Sequence, residues 1–207
     1  VPLARFFARY QNQLPRPFRR YQIGPVWRAD RPGKGRFREF YQCDVDIIGS
    51  SSLLADAEII LAITRSLSCL NLSDYVVRLN SRKVLTGLLE IYGIPSELRQ
   101  STLLALDKLD KVGVEGVVRE LKNFKLPETI VGEVKADLSK KGTELKSRIS
   151  TSLAGREGIE EVEEMVSLVV PLLDGGEIEF SPFLARGLDY YTGPIFEIYL
   201  KGATGAI

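Results

Sequence analysis

The chain has 207 residues, a formal net charge of +1 and no histidine. This length supports one substantial core, or a core with a small appended domain, and 44% hydrophobic residues is ordinary for a globular protein. The lack of histidine excludes Ser-His and Cys-His nucleophilic sites and every zinc site that includes a histidine ligand. Any catalysis would then depend on positioning and on fixed charge.

No apolar run approaches the ~18 residues that span a bilayer, and no signal peptide opens the chain, so no membrane contact is expected. The two cysteines, Cys43 and Cys69, indicate buried thiols in a reducing compartment rather than a disulfide framework. The cytoplasm is therefore the expected location.

Basic residues concentrate at the start of the chain. Residues 1–40 contain ten Lys or Arg and two acidic residues, a local net charge of +8. Such an excess attracts polyanions such as a triphosphate or an RNA backbone, although most charge runs are only solvated faces. Arginine predominates over lysine here, and its planar fork matches phosphate oxygens, which favours phosphate recognition.

Residues 18–49 predict a β-hairpin. Its strands, 21–28 and 38–48, are rich in aromatic and β-branched residues. The segment 30–36 between them contains one Pro and two Gly, which predicts a long loop.

Alternation along the second strand places its side chains on two faces. One face carries Gln42, Asp44 and Asp46, and the other carries Cys43, Val45 and Ile47. The apolar face is expected to pack against helices. Three polar groups in a sheet are unfavourable unless they meet a ligand or one another, so a cationic ligand or an internal hydrogen-bond network is expected.

Later segments alternate between helical and strand-like patterns. A helix over 53–70, capped by Ser51 or Ser52, precedes a strand over 75–80. Further helices are predicted from 81 onward, over 96–109, 114–124, 128–141, 144–154 and 158–173. Strands return over 177–180, 183–186 and 195–200. The order predicts an α+β fold with a mainly antiparallel sheet, in which residues 1–80 begin the core, residues 81–174 form a helical insertion and residues 175–207 complete the core.

Residues 186–197, Arg-Gly-Leu-Asp-Tyr-Tyr-Thr-Gly-Pro-Ile-Phe-Glu, place a guanidinium, a carboxylate and two phenols within six positions. Arg186 can hold a phosphate or carboxylate oxygen in a bidentate fork. Tyr190 and Tyr191 offer hydroxyls that donate or accept without ionising. This composition suits recognition of a small, polar, partly charged ligand.

The segment 186–197 resembles the signature of histidyl-tRNA synthetases that lines their histidine pocket. Residues 18–49 resemble the second class-defining motif of class II synthetases, which holds ATP, and the stretch between the two motifs resembles the family's insertion. The resemblance implies a class II catalytic core with an α-helical insertion domain. It also implies a cytoplasmic, homodimeric histidine–tRNA ligase that uses ATP and magnesium to form histidyl-adenylate and then charges its tRNA.

By this resemblance, four residues bind ATP, and Arg186 lies close to it. Arg28 holds the α-phosphate and the histidine carboxylate, and Arg36 holds the terminal phosphates. Phe40 stacks on adenine, with ordinary core packing as its alternative role, and Asp30 lies near the adenine amino group. Arg186 lies beside the α-phosphate, which makes Arg28 and Arg186 the candidate catalytic residues.

The resemblance also assigns the histidine pocket. Gln42 contacts the substrate amino group, and Asp46 accepts from the imidazole at a position where many relatives have Glu. Tyr191 contacts the other ring nitrogen, and Tyr190 and Arg186 complete the set. No residue is assigned to a resident metal ion.

Other parts of the family's proteins are expected to have no counterpart here, among them the first and third class motifs of the catalytic domain and the separate anticodon-binding domain. The chain therefore resembles a central fragment, which is expected to be inactive alone. One competing interpretation is the non-catalytic regulatory subunit of the ATP phosphoribosyltransferase of histidine biosynthesis. Another is a tRNA-sensing pseudo-synthetase domain of a stress kinase. The retained ligands Arg28, Arg36, Arg186 and Asp189 favour the ligase over both.

Overall fold

The computed structural model describes residues 2–33, 36–186 and 191–202. Tyr190 and Asp189 lie outside these described residues. The chain divides into two compact units, residues 1–62 and 63–207, and each is described by itself. The division into segments ending at residues 80 and 174 stays a prediction.

The first unit is built around a β-hairpin. It contains helix α1 (Pro2–Tyr10), strands β1 (Phe18–Trp27) and β2 (Glu39–Ile48) and the start of helix α2 (Leu53–Cys69). The strands pair antiparallel over their whole length, which confirms the predicted hairpin. The amide of Arg28 donates to the carbonyl of Arg38 at 2.9 Å and closes the loop between the strands. The amide of Leu54 donates to Ser52 Oγ at 3.3 Å, which confirms Ser52 as a cap of α2.

The expected packing of the hairpin is wrong in one respect. The face with Cys43 and Val45 is exposed, whereas the face with Gln42, Asp44 and Asp46 is half-buried. Strand β1 contributes Tyr21, Ile23 and Trp27 to this same exposed face. These three residues are 77%, 64% and 67% exposed. Cys43 and Cys69 are both free and exposed, so the prediction of buried thiols is also wrong.

The second unit contains a three-stranded sheet. Its strands are β3 (Tyr75–Ser81), β4 (Glu177–Phe180) and β5 (Pro194–Leu200), in the order β4-β3-β5. Strand β5 runs antiparallel to β3, and β4 runs parallel to it. Together with the hairpin of the first unit, two of the three pairings among the described strands are antiparallel, as predicted.

The strand predicted over 183–186 is wrong, because these residues form a turn followed by an irregular segment. The side chain of Asn80, which is fully buried, supplies the reason. Its Nδ2 donates to the carbonyls of Pro182 and Leu184 at 3.0 and 2.8 Å, so these carbonyls bond to a side chain and not to a neighbouring strand. Arg186 follows directly on this anchored segment.

Helices form the rest of the second unit. They are α3 (Arg82–Ile91), α4 (Ser96–Leu106), α5 (Leu109–Asn123), α6 (Glu128–Leu138), α7 (Gly142–Ile149), α8 (Leu153–Val169) and a 3-10 turn (Val170–Leu172). Helix α5 begins earlier than the predicted helix 114–124, and Gly113 interrupts it with φ of 67°. None of the helices in the described portion of the chain combines the length and the apolar character that a membrane crossing needs.

The helices bury one apolar cluster. Leu85, Leu88, Leu121 and Ile149 are among its members, each 0 or 1% exposed. Helices α3 and α8 approach closely because both carry glycine at their contact. A Cβ at Gly87 would lie 2.5 Å from the Cα of Gly155, so no larger residue fits there without separating the helices.

A buried carboxylate ties the helices together. The side chain of Asp137 on α6 is fully buried. It accepts from Tyr92 Oη at 2.9 Å and pairs with Arg148 NH1 and Lys140 Nζ, each at 2.8 Å. Burial and then the charge of Asp137 raise the pKa of Tyr92 well above its ordinary value. The phenol therefore stays neutral and continues to donate.

Candidate functional site

One face of the hairpin, called here the polar face, carries three of the predicted ligand residues of the first unit, Phe40, Gln42 and Asp46. The strand register pairs its positions as Arg20 with Asp46, Gln22 with Asp44, Gly24 with Gln42 and Val26 with Phe40. Side chains alternate between faces along each strand, so these eight positions lie on one side of the sheet.

Hydrogen bonds connect the predicted Arg28 and Gln42. Arg28 NH2 donates to Gln42 Oε1 at 2.6 Å, and Gln42 Nε2 donates in turn to Asp44 Oδ1. The amide oxygen of Gln42 is therefore oriented by a guanidinium and its nitrogen by a carboxylate. The structure brings these two predicted residues together and supplies the internal network that the sequence left as an alternative.

Asp46 has a partner that sequence reasoning missed. Arg20 NH2 lies 2.6 Å from Asp46 Oδ2, and Arg20 NH1 donates to Gln22 Oε1 at 2.7 Å. Arg20 Nε is buried and has no acceptor among the described residues, so this guanidinium retains a donor for a further group. Strand alternation placed Arg20 on a known face, but only the hairpin register sets it opposite Asp46.

The polar face has a gap at Gly24. No atom lies within 4 Å of the position that a Cβ on Gly24 would occupy, and its register partner is Gln42. The lack of a side chain therefore leaves space beside the residue predicted to contact the substrate amino group.

This gap leads to a first prediction: in the longer protein that the sequence resemblance implies, Gly24→Val weakens binding of the expected ligands, ATP and histidine, about tenfold or more, and the fold stays intact. Valine suits a strand, and the added atoms meet open space, so stability is expected to be unchanged. The bulk would instead occupy volume that a ligand needs. Isothermal titration with each ligand and thermal unfolding measure the two effects, and Gly24→Ala is the graded control. Wild-type affinity in the valine variant would place the ligand elsewhere.

The predicted phosphate and adenine ligands lie around the hairpin loop. The guanidinium of Arg28 lies over the ring of Phe40, with Cζ 5.2 Å from the ring centroid. Phe40 is half-buried, and one face of its ring is covered by this cation. Arg36 Nε lies 4.0 Å from Asp30 Oδ2, and the two side chains are 65% and 48% exposed. This separation gives a weak, screened ion pair, so the Arg36 guanidinium is free to take a phosphate.

A second cluster surrounds Arg186 in the second unit. Arg186 NH1 lies 2.6 Å from Glu197 Oε1 on β5. Burial lowers the pKa of Arg186, but the charge of Glu197 and a hydrogen bond with the phenol of Tyr191 outweigh it, so the pKa is raised. The structure thus brings together Arg186 and Tyr191, two of the predicted histidine-pocket residues. Tyr190 lies outside the described residues, and its role stays a prediction.

Arg186 and Glu197 also line a cleft of 1240 Å³ within the second unit. Its other walls come from the start of α5 and from the α6–α7 junction, where Lys140 and Lys141 lie. A cleft of this size is large enough for a nucleotide-sized ligand. Glu197 was not among the predicted residues, although its alternation with Tyr199 on one strand face was a readable signal.

The predicted site is thus described as two separate clusters. Arg28, Gln42 and Asp46 belong to the unit 1–62, and Arg186 and Tyr191 belong to the unit 63–207. Their convergence on one nucleotide stays a prediction. Across the portion of the chain that the structure describes, no group of three Asp, Glu or Cys side chains is arranged to hold a metal ion.

Comparisons with known proteins extend over the whole chain. The sequence model of the family described as histidyl-tRNA synthetase matches residues 1–207. The histidine–tRNA ligase of Phocaeicola vulgatus is 42% identical over 204 residues, which cover 96% of this chain and 44% of that protein. The chain therefore spans about half the length of the curated relatives it matches.

Solved structures agree with this comparison. The histidyl-tRNA synthetase of a Nostoc species superposes with a TM-score of 0.81 at 32% identity, covering 97% of this chain and 48% of that one. A protein of Bacillus halodurans, described as an ATP phosphoribosyltransferase regulatory subunit/histidyl-tRNA synthetase, has a TM-score of 0.78 at 20% identity. That match covers 99% of this chain and 54% of the other, and it shows a shared fold alone.

Proposed function

Because this chain belongs to the histidyl-tRNA synthetase family, we propose that it is the central portion of the catalytic domain of a histidine–tRNA ligase. In this proposal the longer polypeptide, called here the parent synthetase, acts as a cytoplasmic homodimer. It joins histidine to ATP, which enters as its magnesium complex, and then transfers histidine to the 3′ end of its tRNA. The observation that carries the proposal is the hydrogen-bonded series Arg28–Gln42–Asp44 on the polar face.

The first reaction needs no proton transfer. An oxygen of the histidine carboxylate, already ionised at neutral pH, attacks the α-phosphorus of ATP. The new P–O bond forms as the bond to the β-phosphate oxygen breaks, and pyrophosphate leaves with the electron pair. A chain without histidine can support such a step, because positioned positive charge replaces a general base.

Arginines supply that charge. In the proposal Arg28 holds the α-phosphate together with the substrate carboxylate, and Arg36 holds the terminal phosphates. Arg186 stabilises the charge that develops at the α-phosphate. Phe40 stacks on adenine through the ring face that Arg28 leaves uncovered, and Asp30 lies near the adenine amino group. Fixed guanidinium groups of this kind are among the largest contributions to rate in phosphate chemistry.

In this proposal a carboxamide, a carboxylate and two phenols together recognise histidine. Gln42 contacts the substrate amino group, and its orientation is set by Arg28. Asp46 accepts from one ring N–H, and its ion pair with Arg20 holds this carboxylate in place. Tyr191 contacts the second ring nitrogen, and Tyr190 completes the pocket. A ring bracketed in this way is distinguished from other side chains by hydrogen bonds that they cannot make.

The fold shared with the Bacillus halodurans protein supports a second candidate, a non-catalytic regulatory subunit of ATP phosphoribosyltransferase. This candidate would keep histidine binding and dispense with the phosphate ligands. Retention of Arg28, Arg36 and Arg186 argues against it, since a regulator has no need of three arginines for a triphosphate.

Histidine-dependent exchange of pyrophosphate into ATP by the parent synthetase tests the proposal. The expected result is exchange that requires histidine and is not supported by other amino acids. The 207-residue chain alone is expected to show none. Histidine binding by the parent without exchange would favour the regulatory subunit, and the absence of both would refute the proposal.

A further inference from the structure

Both carboxylate oxygens of Glu197 have partners. Oε1 lies 2.6 Å from Arg186 NH1, and Oε2 accepts from Tyr199 Oη at 2.5 Å. The Glu197 side chain is only 12% exposed, whereas that of Arg186 is 49% exposed. A nearly buried carboxylate held at both oxygens has little freedom to rotate. It can therefore act as a fixed support for the guanidinium of Arg186, a residue that lines the cleft.

Tyr199 extends this contact to the helices. Its hydroxyl also lies 3.1 Å from Asp110 Oδ2, close to the start of α5. Arg78 on β3 completes the set, because its NH1 donates to the same oxygen of Asp110 at 3.0 Å. The guanidinium of Arg78 also covers the ring of Tyr199, with Cζ 4.3 Å from the centroid. Glu197, which holds Arg186, is thus connected through Tyr199 and Asp110 to α5, a helix of the predicted insertion.

The hydroxyl of Tyr199 lies between the carboxylates of Glu197 and Asp110. Tyr199 has a single O–H and faces two carboxylates, so it donates to one of them at a time. The bond to Glu197 is shorter than the bond to Asp110, and Arg78 already balances Asp110. Glu197 is therefore the closer acceptor for this phenol. Burial, followed by the two neighbouring carboxylates, raises the pKa of Tyr199, so the phenol remains a donor near neutral pH.

We propose that Glu197 is a positioning residue for Arg186, and that Tyr199, Asp110 and Arg78 connect this position to helix α5. Glu197 holds NH1 and thereby turns Nε and NH2 of Arg186 toward the cleft, in the orientation that a bidentate phosphate contact needs. The contacts of α5 with β3 and β5 then set the geometry of the arginine that stabilises the α-phosphate. This inference rests on the proposed function.

Loss of this positioning role is expected to lower the rate of adenylate formation more than the free energy of unfolding. Because the Arg186 side chain is 49% exposed, its pair with Glu197 contributes less to folding than a fully buried pair, but a small displacement of a charge-stabilising group can slow a reaction strongly. In the parent synthetase, Glu197→Gln is expected to slow single-turnover adenylate formation roughly 10–100-fold, with the histidine KM changed less than about threefold. Tyr199→Phe, which frees Oε2 but leaves the ion pair, is expected to slow it about 3–10-fold.

Glu179→Gln is the matched control. Glu179 lies on β4 and lines the same cleft, but it accepts a hydrogen bond from Ser181 Oγ at 3.2 Å and does not hold Arg186. This variant is expected to keep the wild-type rate. Equal losses in Glu179→Gln and Glu197→Gln would show a general charge effect and would overturn the positioning role.

A double-mutant cycle separates positioning from other roles. If Glu197 acts through Arg186, adding Glu197→Gln to Arg186→Ala causes no further loss of adenylate formation. Independent, multiplicative losses would overturn the inference, as would a wild-type rate in Glu197→Gln. Thermal unfolding of each variant, and the milder Tyr199→Phe, keep the cycle interpretable if Glu197→Gln folds poorly.

A readout that needs no activity distinguishes this inference from the proposed function. Arginine side-chain ¹⁵N NMR of the 207-residue chain reports how freely the Arg186 guanidinium rotates. Restricted rotation that Glu197→Gln releases and Glu179→Gln leaves supports positioning, even if the parent synthetase shows no histidine-dependent exchange and the proposed function fails. Free rotation in the wild-type chain would overturn the positioning role while leaving the proposed function standing.

Discussion

Replacement of Arg186 by alanine is expected to slow histidyl-adenylate formation by the parent synthetase ~10²–10³-fold, the usual effect of removing one preorganised charge-stabilising donor. Histidine affinity is expected to fall much less, because the charge that Arg186 meets develops in the transition state. Single-turnover formation of adenylate measures the first quantity and calorimetric titration with histidine measures the second.

Two further variants sharpen this result. Arg186→Lys keeps the charge but loses the planar fork, so an intermediate rate is expected. Arg156→Ala is the control for removal of a surface arginine, since Arg156 is exposed on α8, and it should be silent. Pyrophosphate exchange at the wild-type rate in Arg186→Ala would remove this residue from the chemistry.

The largest expected loss of stability is for Asp137→Ala, at about 3 kcal/mol, the lower end of the range for a broken buried ion pair. The carboxylate is fully buried, and its removal leaves the hydroxyl of Tyr92 without an acceptor. The two cations are 34% and 43% exposed and can be rehydrated, which keeps the loss from being larger. Urea unfolding followed by far-UV circular dichroism measures it, since most helices lie in the second unit.

Partner variants test the same contact set. Tyr92→Phe removes one hydrogen bond and is expected to cost about 1 kcal/mol. Glu133→Ala removes an exposed partner of Arg148 and should cost less than about 1 kcal/mol.

Because the pKa of Tyr92 is raised in the folded state, the unfolded chain loses this proton first, and the contribution of Tyr92 is lost as the pH rises above about 10. Equal losses in Asp137→Ala and Glu133→Ala would show that burial of Asp137 has no special role.

Local pattern was sufficient for much of the fold. The hairpin follows from period-two alternation around a Pro- and Gly-containing loop, and α2 follows from its Ser52 cap and helical spacing. The irregular segment 183–186 could not be predicted in this way, because the side chain that holds it, Asn80, lies a hundred residues earlier in sequence. The exposure of Cys43 likewise depends on what packs on the hairpin and not on the pattern of β2.

The candidate site likewise contains residues that local pattern could place and residues that it could not. Alternation alone placed Gln42 and Asp46 on one face, and the structure places them there. Arg20 needed the strand register, which depends on loop length and turn geometry. The connection from Glu197 to Asp110 spans 87 positions of sequence and arises only when α5 meets the sheet, so no local signal identifies it.

The exposed indole at the end of β1 offers a built-in optical reporter. Trp27 is the chain's single tryptophan, and it precedes Arg28, whose guanidinium lies over Phe40. An indole that is 67% solvated emits at long wavelength, and its spectrum moves toward the blue when water is displaced around it. Binding of a ligand to Arg28, or coverage of the exposed hairpin face that carries Tyr21, Ile23 and Trp27, can thus be followed by intrinsic fluorescence, without a dye and without competing signals from other tryptophans.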